Sequence, residues 1–239
     1  MAITCPLEGD NMFKNIDAVL FDLDGTLVDS MWLWKSVDIE YLKKFDIEFP
    51  DDFQDDIEGM SFTETAQYFK EHFNLPVDID SIKEEWNIMA GEYYKHKVQL
   101  KEKVPELLSY LIENDYKTGI GTSNSKELVN MIVDKFNLRG HFGSIRTSCE
   151  VNKGKPHPDI YLKVAEDLGV RPENCLVFED VPAGIMAAKN AGMKVCAIYD
   201  DFSKKIIDEI KELADYYIES FNDIIEIVED DNDETVFAN

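Results

Sequence analysis

Two aspartates stand two positions apart in the sequence DLDGT, residues 22–26. They end an apolar run, residues 16–22, which is typical of a buried strand in a parallel sheet. Gly25 permits a sharp turn, so the carboxylates of Asp22 and Asp24 can reach one point above the strand end. Mg²⁺ prefers such hard oxygen ligands, and one carboxylate can attack while the other handles a proton. The alternative is an acidic turn without chemistry.

A second candidate is the sequence TSNS, residues 122–125, which follows a predicted strand and opens a predicted helix. Hydroxyl groups and free backbone N–H groups at a helix N-terminus suit a phosphate. Ser123 and Asn124 are therefore candidate phosphate-binding residues. The alternative is that Ser123 or Ser125 only caps the helix.

A third candidate is Lys155, in the sequence GKPHP. Pro156 and Pro158 restrict the backbone on both sides of it, so the position of the lysine is expected to be fixed. A fixed ammonium can neutralise both an attacking carboxylate and a phosphoryl oxygen. The alternative is a solvated lysine in a loop, and we interpret His157 as structural.

The fourth candidate is the pair Glu179 and Asp180, which again lies between a predicted strand and a helix. Asp180 could complete a set of carboxylates around a metal ion, and Glu179 could assist directly or through water. The alternative is an ordinary helix N-cap.

The four motifs lie among predicted strands and helices that alternate along the chain. Short apolar runs predict strands over residues 16–22, 117–122, 144–147, 175–179 and 195–199. Helical periodicity occurs over residues 104–114, 125–136, 158–168 and 182–191. This alternation predicts an α/β fold with a doubly wound parallel sheet, in which ligands bind at the carboxyl ends of the strands.

The alternation is interrupted over residues 30–98, where the periodicity is helical. Ser61 and Glu64 form a capping-box pattern at one of the helix starts. We therefore expect a core of residues 1–29 and 99–239, with an all-helical domain of residues 30–98 that covers the strand ends as a lid.

The composition limits the classes of molecule that the protein can bind. The chain has 239 residues, 24 Lys and Arg against 49 Asp and Glu, and a net charge of −25, so it should repel nucleic acid and anionic membranes. Its apolar stretches are far shorter than the ~20 residues that span a bilayer. Residues 1–15 do not resemble a secretory signal. We expect a cytoplasmic monomer.

The remaining features predict little chemistry. The four cysteines lack C-x-x-C spacing, and we interpret them as reduced thiols: Cys5, Cys149, Cys175 and Cys196. Residues 1–11 have no periodicity, and the mostly acidic residues 229–239 are expected to fray.

In this order the four motifs resemble those of the haloacid dehalogenase superfamily, in the subfamily with a helical cap inserted after the first motif. Within it, the Lys-Pro-x-Pro-Asp and Glu-Asp-x-x-Ala-Gly-Ile patterns are similar to those of β-phosphoglucomutase and sugar-phosphate phosphatases. The resemblance implies a Rossmann-like core and a Mg²⁺-dependent phosphoryl transfer through an aspartyl-phosphate.

The resemblance also implies a role for each matching residue. Asp22 resembles the nucleophile, and Asp24 resembles the general acid and base, whose backbone carbonyl also binds the metal. Ser123 resembles the phosphate-binding hydroxyl, and Lys155 the charge-balancing lysine. The implied metal ligands are Asp22, Asp24, Asp180 and Glu179.

Two departures from the mutase pattern favour a phosphatase. The mutases have a histidine twelve residues after the nucleophile, where this chain has Trp34. They have a cap arginine after a Gly-x-Ser turn, where this chain has Phe62. We therefore expect hydrolysis of a small phosphomonoester, such as a sugar phosphate. A hexose-phosphate mutase and a non-catalytic acidic binding protein are the alternatives.

Substrate specificity should come from the helical domain and the segment that leads into it. The aromatic residues Trp32, Trp34 and Phe62, together with Lys35, are candidates for lining a pocket that suits a sugar ring or another small organic phosphate. The alternative is that the aromatic side chains belong to the hydrophobic core.

Overall fold

The computed structural model describes residues 12–50 and 53–227. In chain order its strands are β1 (Ala18–Phe21), β2 (Val28–Asp29), β3 (Gln99–Leu100), β4 (Lys117–Thr122), β5 (Ser144–Thr147), β6 (Cys175–Glu179), β7 (Lys194–Ile198) and β8 (Tyr216–Ile218). Its helices are α1 (Met31–Lys43), α2 (Phe53–Ile57), α3 (Phe62–His72), α4 (Ile79–His96), α5 (Val104–Glu113), α6 (Lys126–Lys135), α7 (Asp159–Leu168), α8 (Pro182–Asn190) and α9 (Ile207–Leu213).

Within the described residues, six strands form one sheet in the order β5-β4-β1-β6-β7-β8. Every neighbouring pair is parallel, and β1 lies between β4 and β6. This is the predicted α/β Rossmann-like fold, and all five predicted strands are present. β8 was not predicted, because three residues are too few to display an alternating pattern.

Helices cover both faces of the sheet. Successive side chains of β1 alternate between two hydrophobic clusters, with Val19 and Phe21 in one and Ala18 and Leu20 in the other. The first cluster includes the buried faces of α5 and α6, and the second those of α7, α8 and α9. Burial on both faces explains why β1 reads as a continuous apolar run.

The helices α1 to α4 lie between β2 and β3, in a segment that we call the helical insert (residues 30–98). Aromatic rings make up much of its interior, since Trp86 packs against Tyr41, Phe62 and Phe69. The strands β2 and β3, which lead into and out of the insert, pair with each other in an antiparallel ribbon. The division into a core and a separate helical domain stays a prediction.

Several minor expectations can be located. Cys149 is exposed, Cys175 and Cys196 are buried, and all three are free thiols. Cys5, the rest of residues 1–11 and the acidic residues 229–239 lie outside the described residues. None of the described helices combines the length and the apolar character needed to cross a bilayer.

The predicted capping box is present at the start of α3. The Ser61 hydroxyl accepts a hydrogen bond from the Glu64 backbone N–H at 3.2 Å, and the Glu64 carboxylate accepts one from the Ser61 backbone N–H at 2.7 Å. Replacing Ser61 by alanine leaves the Glu64 backbone N–H without its side-chain acceptor. We expect Ser61→Ala to lower the free energy of unfolding by about 1 kcal/mol.

Urea denaturation followed by tryptophan fluorescence measures this change. The matched control is Ser109→Ala on α5, because Ser109 is exposed and lies inside its helix. We expect the free energy of unfolding of this control to stay within about 0.5 kcal/mol of that of the parent protein. Equal effects of the two substitutions would contradict a stabilising role for the cap.

Candidate active site

The ends of β1 and β6 bring three carboxylates together. The backbone N–H of Asp22 donates to the carbonyl oxygen of Phe178 at 3.0 Å, which fixes the two strand ends side by side. One carboxylate oxygen from each of Asp22, Glu179 and Asp180 lies within 4.8 Å of the other two. All three side chains are buried. Two motifs that are 157 positions apart in sequence, at Asp22 and Glu179, therefore form one acidic cluster.

Lys155 lies against this cluster. Its Nζ is 2.6 Å from Oδ1 of Asp22 and 2.6 Å from Oε1 of Glu179, and the ammonium is buried. Tyr161, in the first turns of α7, donates to the same Glu179 oxygen at 2.5 Å. Burial alone would lower the pKa of Lys155, but the carboxylates of Asp22 and Glu179 outweigh it and raise the pKa. The lysine is therefore held protonated.

One ammonium does not neutralise three carboxylates. Burial raises the pKa of Asp22 to about 7, with Lys155 acting against this shift and Glu179 and Asp24 acting with it. Burial likewise raises the pKa of Asp180 well above its usual value, helped by the charges of Glu179 and Asp22. Both shifts mean that the ionised cluster is short of positive charge. A cation would relieve this deficit.

The donors available suit Mg²⁺. Oδ1 of Asp180 accepts from the Thr26 hydroxyl at 3.0 Å, whereas Oδ2 is buried and has no hydrogen-bond partner among the described residues. Gly25, at φ +79°, leaves the space beside this oxygen open, because a Cβ there would lie 2.0 Å from Oδ2. An unsatisfied carboxylate oxygen beside the Asp22 carboxylate fits a hard divalent cation.

Asp24 has a different environment from Asp22. Its Oδ1 accepts from the Ser30 hydroxyl at 2.5 Å and from the Tyr94 hydroxyl, while Oδ2 accepts from the Asn124 amide at 2.7 Å. Tyr94 belongs to α4 and Ser30 precedes α1, so the helical insert supplies two of these three donors. The side-chain amide of Asn124, a predicted phosphate-binding group, is thus engaged with Asp24 and with the Tyr94 hydroxyl.

Ser123 also contacts the helical insert. Its hydroxyl donates to the Gly59 carbonyl oxygen at 3.1 Å, and its own carbonyl accepts from the Phe62 N–H at 2.9 Å. The cap of α6 is Ser125, whose hydroxyl accepts from the Leu128 N–H at 3.2 Å. Of the two roles considered for Ser123, helix capping is therefore taken by Ser125.

A cavity of about 190 Å³ lies between the strand ends and the helical insert. The residues from the core that line it include Asp22, Asp24, Ser123, Asn124 and Lys155. Those from the insert include Met31, Trp34, Asp38, Glu58, Phe62 and Trp86. The cavity therefore joins the acidic cluster to a wall that includes three aromatic side chains, and its size suits a small ligand.

The aromatic candidates fall into two groups. Trp34 and Phe62 line the cavity and also pack on the hydrophobic core. Trp32 and Lys35, by contrast, are exposed and are not among the lining residues. On a helix, positions four apart share a face, so Asp38 rather than Lys35 accompanies Trp34 on the cavity side. The indole N–H of Trp32 instead donates to the Asp29 carbonyl oxygen at 3.1 Å.

Sequence reasoning missed several polar residues of the site. Tyr94 follows Trp86 and Ala90 at intervals of four on the buried face of α4, so periodicity places it inward but does not reveal that its hydroxyl meets Asp24. Tyr161 and Asp38 lie on helices whose periodicity predicts only which side of the helix is buried. No local signal indicates the partner of such a group, because the partner is distant in sequence.

The comparisons with known proteins agree with this geometry. A family model described as haloacid dehalogenase-like hydrolase matches residues 19–198. The chain is 27% identical over 223 residues to a Drosophila melanogaster protein named "Probable pseudouridine-5'-phosphatase", with 89% of this chain and 96% of that protein covered. It is 26% identical over 221 residues to a pyrophosphatase of Bacillus cereus, with 91% of this chain and 98% of that protein covered.

Solved structures share the fold. A β-phosphoglucomutase from Clostridium difficile superposes with a TM-score of 0.75 at 23% identity, covering 93% of this chain and 99% of the other. The family match spans Asp22, Ser123, Lys155 and Asp180, which are the residues that first suggested it. The chain belongs to the haloacid dehalogenase-like hydrolase family.

Proposed function

We propose that this hydrolase releases phosphate from a small phosphomonoester in a Mg²⁺-dependent reaction through an aspartyl-phosphate. The observation that carries the proposal is the buried ammonium of Lys155, which bonds the carboxylates of Asp22 and Glu179 beside the unsatisfied oxygen of Asp180. This arrangement suits a nucleophile, a fixed positive charge and a metal position at one end of a small cavity.

In the first step the carboxylate of Asp22 attacks phosphorus, and the bond from phosphorus to the ester oxygen breaks. Asp24 gives a proton to the departing oxygen. In the second step a water molecule attacks the phosphorus of the acyl phosphate, Asp24 takes a proton from that water, and phosphate leaves with the Asp22 carboxylate restored. Lys155 stabilises the negative charge that spreads over the phosphoryl oxygens.

The metal would be held by Asp22 and Asp180, with Glu179 and the backbone carbonyl of Asp24 as the remaining expected ligands. Bound Mg²⁺ supplies charge neutralisation and orientation of the phosphoryl oxygens. In our proposal Ser123 binds a phosphoryl oxygen through its hydroxyl, and Asn124 contributes at the same helix start. Ser123 would then exchange its bond to Gly59 for one to the substrate.

We propose that residues 30–98 act as a cap over the site. The contact that supports this is the hydrogen bond from the Tyr94 hydroxyl, on α4, to Asp24, the proposed acid and base. Ser30 and Tyr94 of the insert and Asn124 of the core hold the same carboxylate, so in this proposal the orientation of Asp24 depends on where the insert lies against the core. Closing the insert would also exclude water from the reacting group.

A hexose-phosphate mutase is the weaker alternative. Such an enzyme has to hold a substrate with a second phosphate. Among the described residues that line the cavity, Lys155 is the one cation, and its ammonium already bonds Asp22 and Glu179. Trp34 and Phe62 stand where the mutases have a histidine and an arginine. A binding protein without activity is also disfavoured, since three buried carboxylates are costly without a function.

The first test concerns the nucleophile. Asp22→Asn keeps the shape of the side chain but removes the attacking carboxylate, so we expect a loss of at least about 10³-fold in kcat. Phosphate release from p-nitrophenyl phosphate and a panel of sugar phosphates and nucleotides, with Mg²⁺ and with EDTA, measures it. The matched control is Asp208→Asn, an exposed aspartate on α9. If Asp22→Asn turned over like this control, Asp22 would not be the nucleophile.

The second test separates the two aspartates of the first motif. Asp24→Asn removes the group that activates water, so we expect steady-state hydrolysis to fail while the acyl phosphate on Asp22 accumulates. Mass spectrometry of the intact protein after mixing with a substrate that has a good leaving group detects the added phosphoryl group. Turnover at the rate of the parent protein would exclude Asp24 as the acid and base.

The third test concerns the metal ion. Asp180→Asn removes the charge of the carboxylate whose Oδ2 has no partner, so we expect Mg²⁺ affinity to fall at least about tenfold. Isothermal titration with Mg²⁺ measures binding without turnover, and Asp208→Asn again serves as the control. Equal affinity of the two variants would show that Asp180 is not a ligand.

A further inference from the structure

Asp38 is a buried acid that the proposed reaction does not use. It lies on α1, four residues after Trp34, and its exposed fraction is 5%. Within the described part of the chain its side chain has no hydrogen bond and no ion pair, yet it lines the cavity that contains Asp22 and Lys155. Burying an ionised carboxylate without a partner costs free energy, unless a ligand supplies the missing hydrogen bond or counter-ion.

The surroundings of Asp38 are apolar and aromatic. Trp34, Phe62 and Trp86 line the same cavity, and the ring centroids of Phe62 lie 6.2 Å from Trp34 and 5.5 Å from Trp86. Burial raises the pKa of Asp38 to about 7. Aromatic rings that line a cavity together with an uncompensated carboxylate favour a cation, because both attract positive charge.

The charges of the whole cavity point the same way. Its acidic lining residues are Asp22, Asp24, Asp38 and Glu58, whereas its one cation among the described residues is Lys155. The ammonium of Lys155 bonds Asp22 and Glu179, at the reacting end. A second anionic group on the substrate would therefore be repelled from the wall that contains Asp38, and a positive group would be attracted.

A neutral hydrogen-bond donor on the ligand suits the Asp38 carboxylate less well than an ammonium does. A hydroxyl could donate to Asp38, but it would leave the buried charge without a counter-ion. A ligand that bears an ammonium would supply that counter-ion.

We propose that Asp38 selects the leaving group of the substrate by pairing with a protonated amine, so that the preferred substrates are amino-alcohol or amino-sugar phosphomonoesters. This inference rests on the proposed phosphatase function, because the phosphate is assigned to the end of the cavity at Asp22. Asp38 is a specificity residue here and takes no part in bond breaking.

Binding in the Asp22→Asn background tests the pairing without turnover. Isothermal titration with Mg²⁺ present compares two matched pairs of ligands, 2-aminoethyl phosphate with 2-hydroxyethyl phosphate and glucosamine 6-phosphate with glucose 6-phosphate. We expect the amine to bind at least about tenfold more tightly in one or both pairs. Adding Asp38→Asn should reduce that ratio to about one, because the substitution keeps the shape and removes the charge.

Glu84→Gln is the matched control, since Glu84 is an exposed acid on α4 that does not line the cavity. The double variant Asp22→Asn, Glu84→Gln should show the same ratio of amine to hydroxyl affinity as Asp22→Asn alone. Tighter or equal binding of the hydroxyl ligands in both pairs would overturn the inference, even if Asp38→Asn failed to fold. An affinity ratio that stays unchanged in a folded Asp38→Asn variant would also overturn the inference.

Turnover separates this inference from the proposed function. If wild-type protein with Mg²⁺ released no phosphate from any ester of the panel, the phosphatase proposal would fail, whatever the binding ratios were. If it hydrolysed p-nitrophenyl phosphate and the binding ratios were one, only the assignment of Asp38 would fail.

Discussion

The contact between the Lys155 ammonium and the carboxylates of Asp22 and Glu179 is the interaction on which the rest of the site depends. Without that positive charge, the acids at the ends of β1 and β6 could not stay ionised side by side in a buried position. The sheet order serves this contact, because β1 and β6 are hydrogen-bonded neighbours in its centre. Gly184 leaves room as well, since a Cβ there would overlap the Glu179 carboxylate.

The two aspartates of one pentapeptide illustrate how environment separates chemically identical groups. Asp22 faces an ammonium and other carboxylates, whereas Asp24 is surrounded by neutral donors from Ser30, Tyr94 and Asn124. One carboxylate is thereby placed in a charged cluster, and the other in a network shared between the core and the helical insert. These different surroundings fit the two roles that we propose for Asp22 and Asp24.

The sequence allowed the fold class to be predicted because short apolar runs, each followed by a polar turn, alternate with segments of helical periodicity. The site residues at strand ends could be predicted for the same reason, since parallel strands bring their carboxyl ends to one edge. Asp38, Tyr94 and Tyr161 could not be assigned in this way, because their roles depend on contacts between distant segments. Helical periodicity indicates which side of a helix is buried, but not what a polar group on that side meets.

The ribbon of β2 and β3 has a consequence for how this protein could have been assembled. Because Val28 pairs with Leu100, the chain leaves the core and re-enters it at neighbouring positions, about 5 Å apart as in any paired strands. A segment whose two ends are this close can be exchanged for another of different length or shape without moving the sheet. The strand ends that carry the acidic cluster and the helices on the other side of the cavity can therefore change independently of each other.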